Sequence, residues 1–261
     1  MSTLRLIGSH LRISIANDLQ YRVNFFIQLL QSLTGLATGL IGIWLVFDHT
    51  SALGGWSENE LLAVMGIYMA MAGITQAVIQ PNMQRLMEEV RQGTLDYALT
   101  KPVDAQLLVS IREFRFWQLS NSALGFIVLA VAVSRMERSP DAVEVLAFVA
   151  ALMLGAVMIY CFWLMLATTA FWLIASYELV NLFEGLYAAG RWPVTVYPGW
   201  LRLTLTFLVP VAFAVTVPAE ALTRRLTPLA LLSALALTAV FTLAARLVWK
   251  LGVRSYSGAS S

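Results

Sequence analysis

Charge is what this chain of 261 residues has least of: Asp, Glu, Lys and Arg together make up 12% of it, against about a quarter in soluble domains. That deficit excludes an ordinary water-exposed globular surface. Histidine is nearly missing too, with His10 and His49 alone, and neither has a partner at metal-ligand spacing. The sequence contains no Gly-x-x-x-x-Gly-Lys-Ser/Thr phosphate loop, no His-Glu-x-x-His and no Gly-x-Ser-x-Gly. Nucleotide, zinc-hydrolase and serine-hydrolase chemistry therefore lack their parts, and an enzyme is not expected. Cys161 is the single cysteine, which excludes an intrachain disulfide. A net charge of +2 provides no basic face for nucleic acid.

What is present is apolar. Hydrophobic residues make up 59% of the chain and mean hydropathy is +0.75. Five runs carry no charge: Val23–Phe47, Leu61–Gln84, Phe116–Ser134, Val145–Tyr177 and Leu226–Ala245. A helix crossing about 30 Å of hydrocarbon needs about 20 such residues, because its backbone groups find partners only within the segment. We read an all-α polytopic membrane protein forming one domain over residues 1–261. The fourth run is long enough to tilt or to protrude as a helix. The 22 mixed residues before the first run lack a cleavage site, so no signal peptide is expected.

The distribution of Lys and Arg orients the chain. Placing both termini and the 81–115 loop in the cytoplasm leaves no Lys or Arg in Asp48–Glu60 and two in Arg135–Asp141, as the positive-inside bias requires. Trp44, Trp56, Trp117 and Trp249 then fall near the interfaces and read as belt residues.

Ten charges fall within the 35 residues Pro81–Arg115. There Met83, Leu86, Met87 and Val90 recur at helical spacing, with Arg85, Glu88, Glu89 and Arg91 on other faces, which predicts a short amphipathic helix. Pro81 suits its first turn and Gly93 a left-handed stop; Thr94 is placed to cap a second turn through Asp96 and Leu99, ended by Lys101-Pro102. Two readings stand: a helix covering the protein's own inner face, or a docking element. A related stripe, Leu4, Ile7, Leu11, Ile15 and Leu19, predicts an interfacial helix over residues 1–22 against membrane lipid.

From Ser176 to Pro228 hydropathy is ambiguous, because Glu178, Glu184, Arg191 and Arg202 interrupt it and Pro193, Pro198, Pro210 and Pro218 each break or kink a helix. One topology puts a straight span at Leu203–Pro218. The other puts the fifth span at Glu178–Trp192 and a re-entrant helix pair around Trp200–Pro218. Glu178, Glu184 and Arg191 are candidates for translocation or intersubunit contact, since intramembrane charge is costly. For Glu184 the simpler role is a bond to a neighbouring helix or to a partner subunit. Gly35 and Gly39 form a Gly-x-x-x-Gly face with Gly42 one turn on, a surface for close approach of a helix from this chain or from a second subunit.

Two segments resemble the ABC-2 family of bacterial ABC transporter permeases, in the branch whose permease and ATPase are separate chains. They are Arg91-Gln92-Gly93-Thr94-Leu95-Asp96-Tyr97-Ala98-Leu99-Thr100-Lys101-Pro102-Val103-Asp104 and the Pro-rich stretch from Tyr197-Pro198-Gly199-Trp200 to Ala219-Glu220-Ala221-Leu222. Tyr256-Ser257-Gly258-Ala259-Ser260 is similar to the same branch. The resemblance implies six spans, a connecting helix over 1–22, a cytoplasmic coupling helix within 81–115 and an outer-leaflet re-entrant element within 193–222, and so favours the second topology. It further implies two ATPase subunits that bind ATP and Mg, a second permease that is the same or a non-identical chain, export, and a bacterial inner membrane. The coupling contacts it points to are Arg91, Gly93, Thr94, Leu95, Asp96, Lys101 and Pro102. A proton-coupled carrier using Glu184 and a non-transporting scaffold are the rivals. No motif selects a substrate.

Overall fold

The computed structural model describes residues 22–173 and 176–256. The Leu4–Leu19 stripe and Ser257–Ser260 lie outside the described residues. Helix α1 spans Arg22–Phe47, α2 Glu58–Gln92, α3 Leu119–Ser134, α4 Ala142–Thr168 and α5 Ser176–Ala188. A broken pair follows, α6 Gly199–Leu208 and α7 Ala212–Leu222, and then α8 Pro228–Ser255. Among the described residues there is no strand beyond an isolated bridge between Leu53 and Trp56. The all-α reading holds.

Prolines shape three of these helices in one way. A proline within a helix removes an N–H and crowds the carbonyl four residues earlier. The widened π-type turns are Thr75–Ile79, Thr204–Leu208 and Ala212–Thr216, centred on Ala77, Thr206 and Ala214. Those positions are four residues before Pro81, Pro210 and Pro218. Widening absorbs Pro81 and Pro218 without a break. At Pro210 the chain turns instead, and α6 and α7 bend by 80°.

Pro81 therefore does not start a separate helix. The second span and the amphipathic segment are one helix of 35 residues, whose lower part turns Met83, Leu86 and Met87 inward until they are buried. The fourth apolar run forms one helix of 30 residues, Ala142–Phe171, long enough to tilt as expected. It does not continue to the end of the run: it closes in a 3₁₀ turn, Thr169–Phe171, and a new helix begins at Ser176.

Contacts between the helix ends establish how the chain crosses. At the end carrying residues 93–118, here the loop end, the Phe25 ring of α1 lies 4.9 Å from that of Trp117, tilted by 50°. There too Arg246 of α8 bonds Asp104 at 2.7 Å. At the opposite end, Trp56 Nε1 donates to Thr195 Oγ1 at 3.0 Å, and Arg225 bonds Gly55 O at 2.8 Å and Glu60 at 2.7 Å. Thr195 precedes the broken pair and Arg225 follows it. Both flanks of the pair thus lie at one end of the bundle, which makes it re-entrant. Helix α5, extended by a 3₁₀ turn through Arg191, is the crossing that links the loop end to Thr195. The straight span at Leu203–Pro218 is excluded by the bend at Pro210.

The core centres on α2, α4 and the re-entrant pair, whose Ile67, Met71, Ile159, Trp163, Val211 and Val215 are buried. Helix α1 lies outside it, with Phe26, Leu30, Ile41 and Trp44 exposed along its length. Trp44 has the exposure of a belt residue. Trp56 and Trp249 do not: they are 1% and 4% exposed, and Arg225 sits 4.6 Å over the Trp56 ring. These two tryptophans pack loops and helices together inside the protein.

Candidate functional site

Two features follow from this arrangement: an anchored turn at the loop end, and a polar groove that runs up the bundle beside α1.

The turn begins where α2 stops. Gly93 takes φ +69°, a left-handed conformation that costs a residue with Cβ about 1–2 kcal/mol. Its N–H donates to Val90 O at 3.2 Å, and the Thr94 N–H donates to Glu89 O at 2.9 Å, the paired bonds of a Schellman stop. Thr94 does not cap the next helical turn as expected. Leu95 occupies that position, without a side-chain cap, before Asp96–Leu99. Leu95 and Ala98 are buried and pin the turn to the bundle by apolar contact. Outward face Arg91, Tyr97, Lys101 and Pro102, with Tyr97 79% exposed. Arg91 is bound bidentately by Glu88 on its own helix. Asp96 and Thr94 are half-buried.

Three tethers hold this turn and the chain that returns from it. Asp104 caps the short helix Ala105–Val109 by accepting from the Leu107 N–H at 3.2 Å. Arg246 of α8 grips Asp104 and also donates to Gln106 Oε1 at 2.6 Å. That guanidinium bond holds the Asp104 carboxyl below the usual carboxylate range. Next, Glu89 is clasped by Arg112 at 2.7 Å and Arg85 at 2.9 Å, and Arg112 is largely buried. Finally, Asn82, 1% exposed, binds the return segment: its Oδ1 accepts from the N–H groups of Arg112 and Glu113, and its Nδ2 donates to Glu113 O. The Arg115 N–H bonds Ala77 O at 2.9 Å, the carbonyl that Pro81 leaves without its α-helical donor. Arg246 and Asn82 were not singled out in the sequence. Only Asn82's place beside Pro81 on an apolar face hints at its role.

The groove lies among α1, α2, the entry to α3 and α5, in two connected stretches of about 420 and 330 Å³. Glu184 and Arg191 both line it, but they do not meet. Glu184 accepts from Gln80 Nε2 at 2.6 Å toward the loop end. Arg191 lies 5.7 Å over the Tyr68 ring nearer the opposite end. Glu178 is exposed at the start of α5 and is not among the lining residues. The α1 glycines also behave differently from one another. A Cβ at Gly39 would meet Met65 Cε at 2.4 Å, so that close approach is to α2 of the same chain; a Cβ at Gly35 would meet nothing within 4 Å.

An all-α bundle with multiple membrane spans, a re-entrant helix pair and an anchored turn at the end where α1 begins and α8 ends has the form of a membrane transport component. The family model described as "ABC-2 family transporter protein" matches residues 33–260. The chain belongs to that family and is a multi-pass permease of an ABC transporter. No curated protein and no solved structure matches it.

Proposed function

We propose that this permease is the membrane half of a bacterial exporter, driven by a separate ATPase that docks on the turn Gly93–Pro102. The observation that carries this reading is the contrast within the turn: a buried Leu95 and Ala98 fix it, while Arg91, Tyr97, Lys101 and Pro102 face outward. A slack loop would absorb a push; an anchored one passes it to α2 through the continuous helix and to α8 through Arg246. In this reading the loop end is cytoplasmic, both termini lie there, and the membrane is the bacterial inner membrane. Two ATPase copies supply ATP and Mg chemistry, and a second permease, identical or not, completes the complex. Gly93 sets the turn, Thr94 and Leu95 seat it, and Asp96, Lys101 and Pro102 meet the ATPase.

Gly93→Val and Asp96→Arg test this. Each is expected to lower ATPase co-purification, or ATP hydrolysis by the complex, at least tenfold, with membrane insertion unchanged. Wild-type values of both in both variants would sink the proposal. An adjacent reading frame encoding a phosphate-loop ATPase would support it independently.

We assign Glu184 a structural role, tying α5 to α2 through Gln80. Glu184→Gln keeps a hydrogen-bonding partner for Gln80 and removes the titratable proton. Transport in proteoliposomes with the ATPase is therefore expected to stay within about twofold of wild type, where a proton-coupled carrier would lose it.

A further inference from the structure

Six side-chain amides line the groove: Gln80 is bonded to Glu184, and the other five, Gln28, Gln31, Gln76, Gln118 and Asn121, make no side-chain hydrogen bond to a described residue. They come from α1, α2 and the entry to α3, and converge on one path through the bundle. An unpaired primary amide is costly in hydrocarbon. Polar groups at membrane depth are tolerated where they face a water-filled cavity or a polar partner. These five therefore present their donors and acceptors to whatever enters the groove.

Their chemistry specifies the visitor. A primary amide both donates and accepts, and so does a hydroxyl, so a row of amides matches a row of hydroxyls. A cation would need a free carboxylate or an open cage of aromatic faces, but the one lining carboxylate, Glu184, already binds Gln80, and the Tyr68 face is already covered by Arg191. An anion would need a committed cation along the middle of the path, and the two lining guanidiniums lie at its ends: Arg191 over Tyr68 at one, and Arg115, within 3.5 Å of Gln84 Oε1, at the loop end. The rings of Tyr68 and Trp192 add apolar faces to the lining. On the α1 side, Gly35 faces open space, and the exposed Leu30, Leu33 and Leu40 flank it, which leaves a lateral way out to lipid.

We propose that this groove binds the uncharged, multiply hydroxylated headgroup of a membrane amphiphile, with its tail leaving past Gly35. The proposal deepens the permease reading and does not depend on where the ATPase docks, so it is tested without ATP.

The full chain in phosphatidylcholine nanodiscs is titrated with three brominated-tail dodecyl amphiphiles, a glucoside, a trimethylammonium and a sulfate. Tryptophan quenching is the readout, and Trp192→Phe identifies the share that comes from the groove. The glucoside is expected to quench at a mole fraction at least fivefold lower than either charged probe. Gln31 is exposed on α1, and Gln31→Glu is expected to shift the preference toward the trimethylammonium probe while the melting temperature stays unchanged. Methyl glucoside, which has no tail, should compete only at concentrations at least a hundredfold higher; equal potency would overturn the amphiphile. Equal quenching by all three probes, or a charged probe winning on the wild-type chain, overturns the headgroup. A Gln31→Cys disulfide dimer combined with no headgroup preference would make the groove a seam between two copies and overturn the proposal as well.

Discussion

Gly125→Leu is expected to prevent accumulation of the folded protein, while the same exchange at Gly35 leaves stability within about 0.5 kcal/mol of wild type. Helices in lipid gain little from the hydrophobic effect and associate through close packing and interhelical hydrogen bonds. Helices α2 and α3 meet in this way, backbone against backbone. A Cβ on Gly125 would lie 2.4 Å from Ala70 N and 2.6 Å from Gly66 O, and one on Gly66 would lie 2.7 Å from Leu129 N. One turn along, a Cβ on Gly73 would lie 2.5 Å from Ser122 N, and Ser122 Oγ donates to Ala70 O at 2.8 Å. No flexible side-chain end takes up the intrusion, so the helices must separate and lose the seam together. We expect a cost of at least about 3 kcal/mol for Gly125→Leu and an intermediate effect for Gly125→Ala. Yield and melting temperature by fluorescence-detected gel filtration measure this. A wild-type melting temperature for Gly125→Leu would show that α2 and α3 do not pack as described.

The same seam shows where sequence reading succeeds and where it stops. Hydropathy found the spans because a bilayer forces about 20 apolar residues into each, and the Pro-rich stretch after Tyr197 located the broken pair. The Gly-x-x-x-Gly search selected Gly35 and Gly39, whereas the tightest helix contact uses Gly66, Gly73 and Gly125. Only Gly66 and Gly73 share a helix, and they are spaced seven residues apart, so a four-residue pattern passes over them. Gly93 was legible because a left-handed stop is a local requirement. Asn82 and Arg246 were not legible, because their partners lie far along the chain: Arg246 meets Asp104 across 142 positions. The five groove amides were not legible either, because only the packing of α1 beside α2 and α3 brings them onto one groove. Hydropathy also misread Trp56, since an aromatic ring near a span end looks the same whether it faces headgroups or a neighbouring loop. The continuity of α2 through Pro81 was hidden for a related reason. A proline reads as a boundary unless the helix widens before it, and widening leaves no mark in a single sequence.

Asn82→Leu is expected to release the return segment from α2 without disturbing membrane insertion. The Asn82 side chain fills four hydrogen-bonding slots: Nδ2 donates to Val78 O at 2.6 Å and Glu113 O at 2.7 Å, and Oδ1 accepts from Arg112 N at 2.7 Å and Glu113 N at 2.9 Å. Leucine matches its volume roughly but makes none of these bonds. The two N–H groups and the Glu113 carbonyl would then stay unpaired at about 1–3 kcal/mol each where they remain buried. The segment lowers that cost by peeling away into water, and we expect about 3–5 kcal/mol of local stability to be lost. Detachment also removes Arg112 from Glu89 and the Arg115 N–H from Ala77 O, so the turn at Gly93–Pro102 loses its backing on one side. Asn82→Asp keeps the acceptor and loses both donors, and it buries a carboxylate beside two carbonyl oxygens; it is expected to be no better than leucine. Trypsin provides the readout, because Arg112 and Arg115 become substrates only when the segment lifts. Cleavage there is expected to quicken at least tenfold in both variants, with α2 still inserted. Cleavage at the wild-type rate would mean that the Arg112–Glu89 pair alone secures the segment, and Arg112→Ala in the same assay would then show the faster cleavage instead.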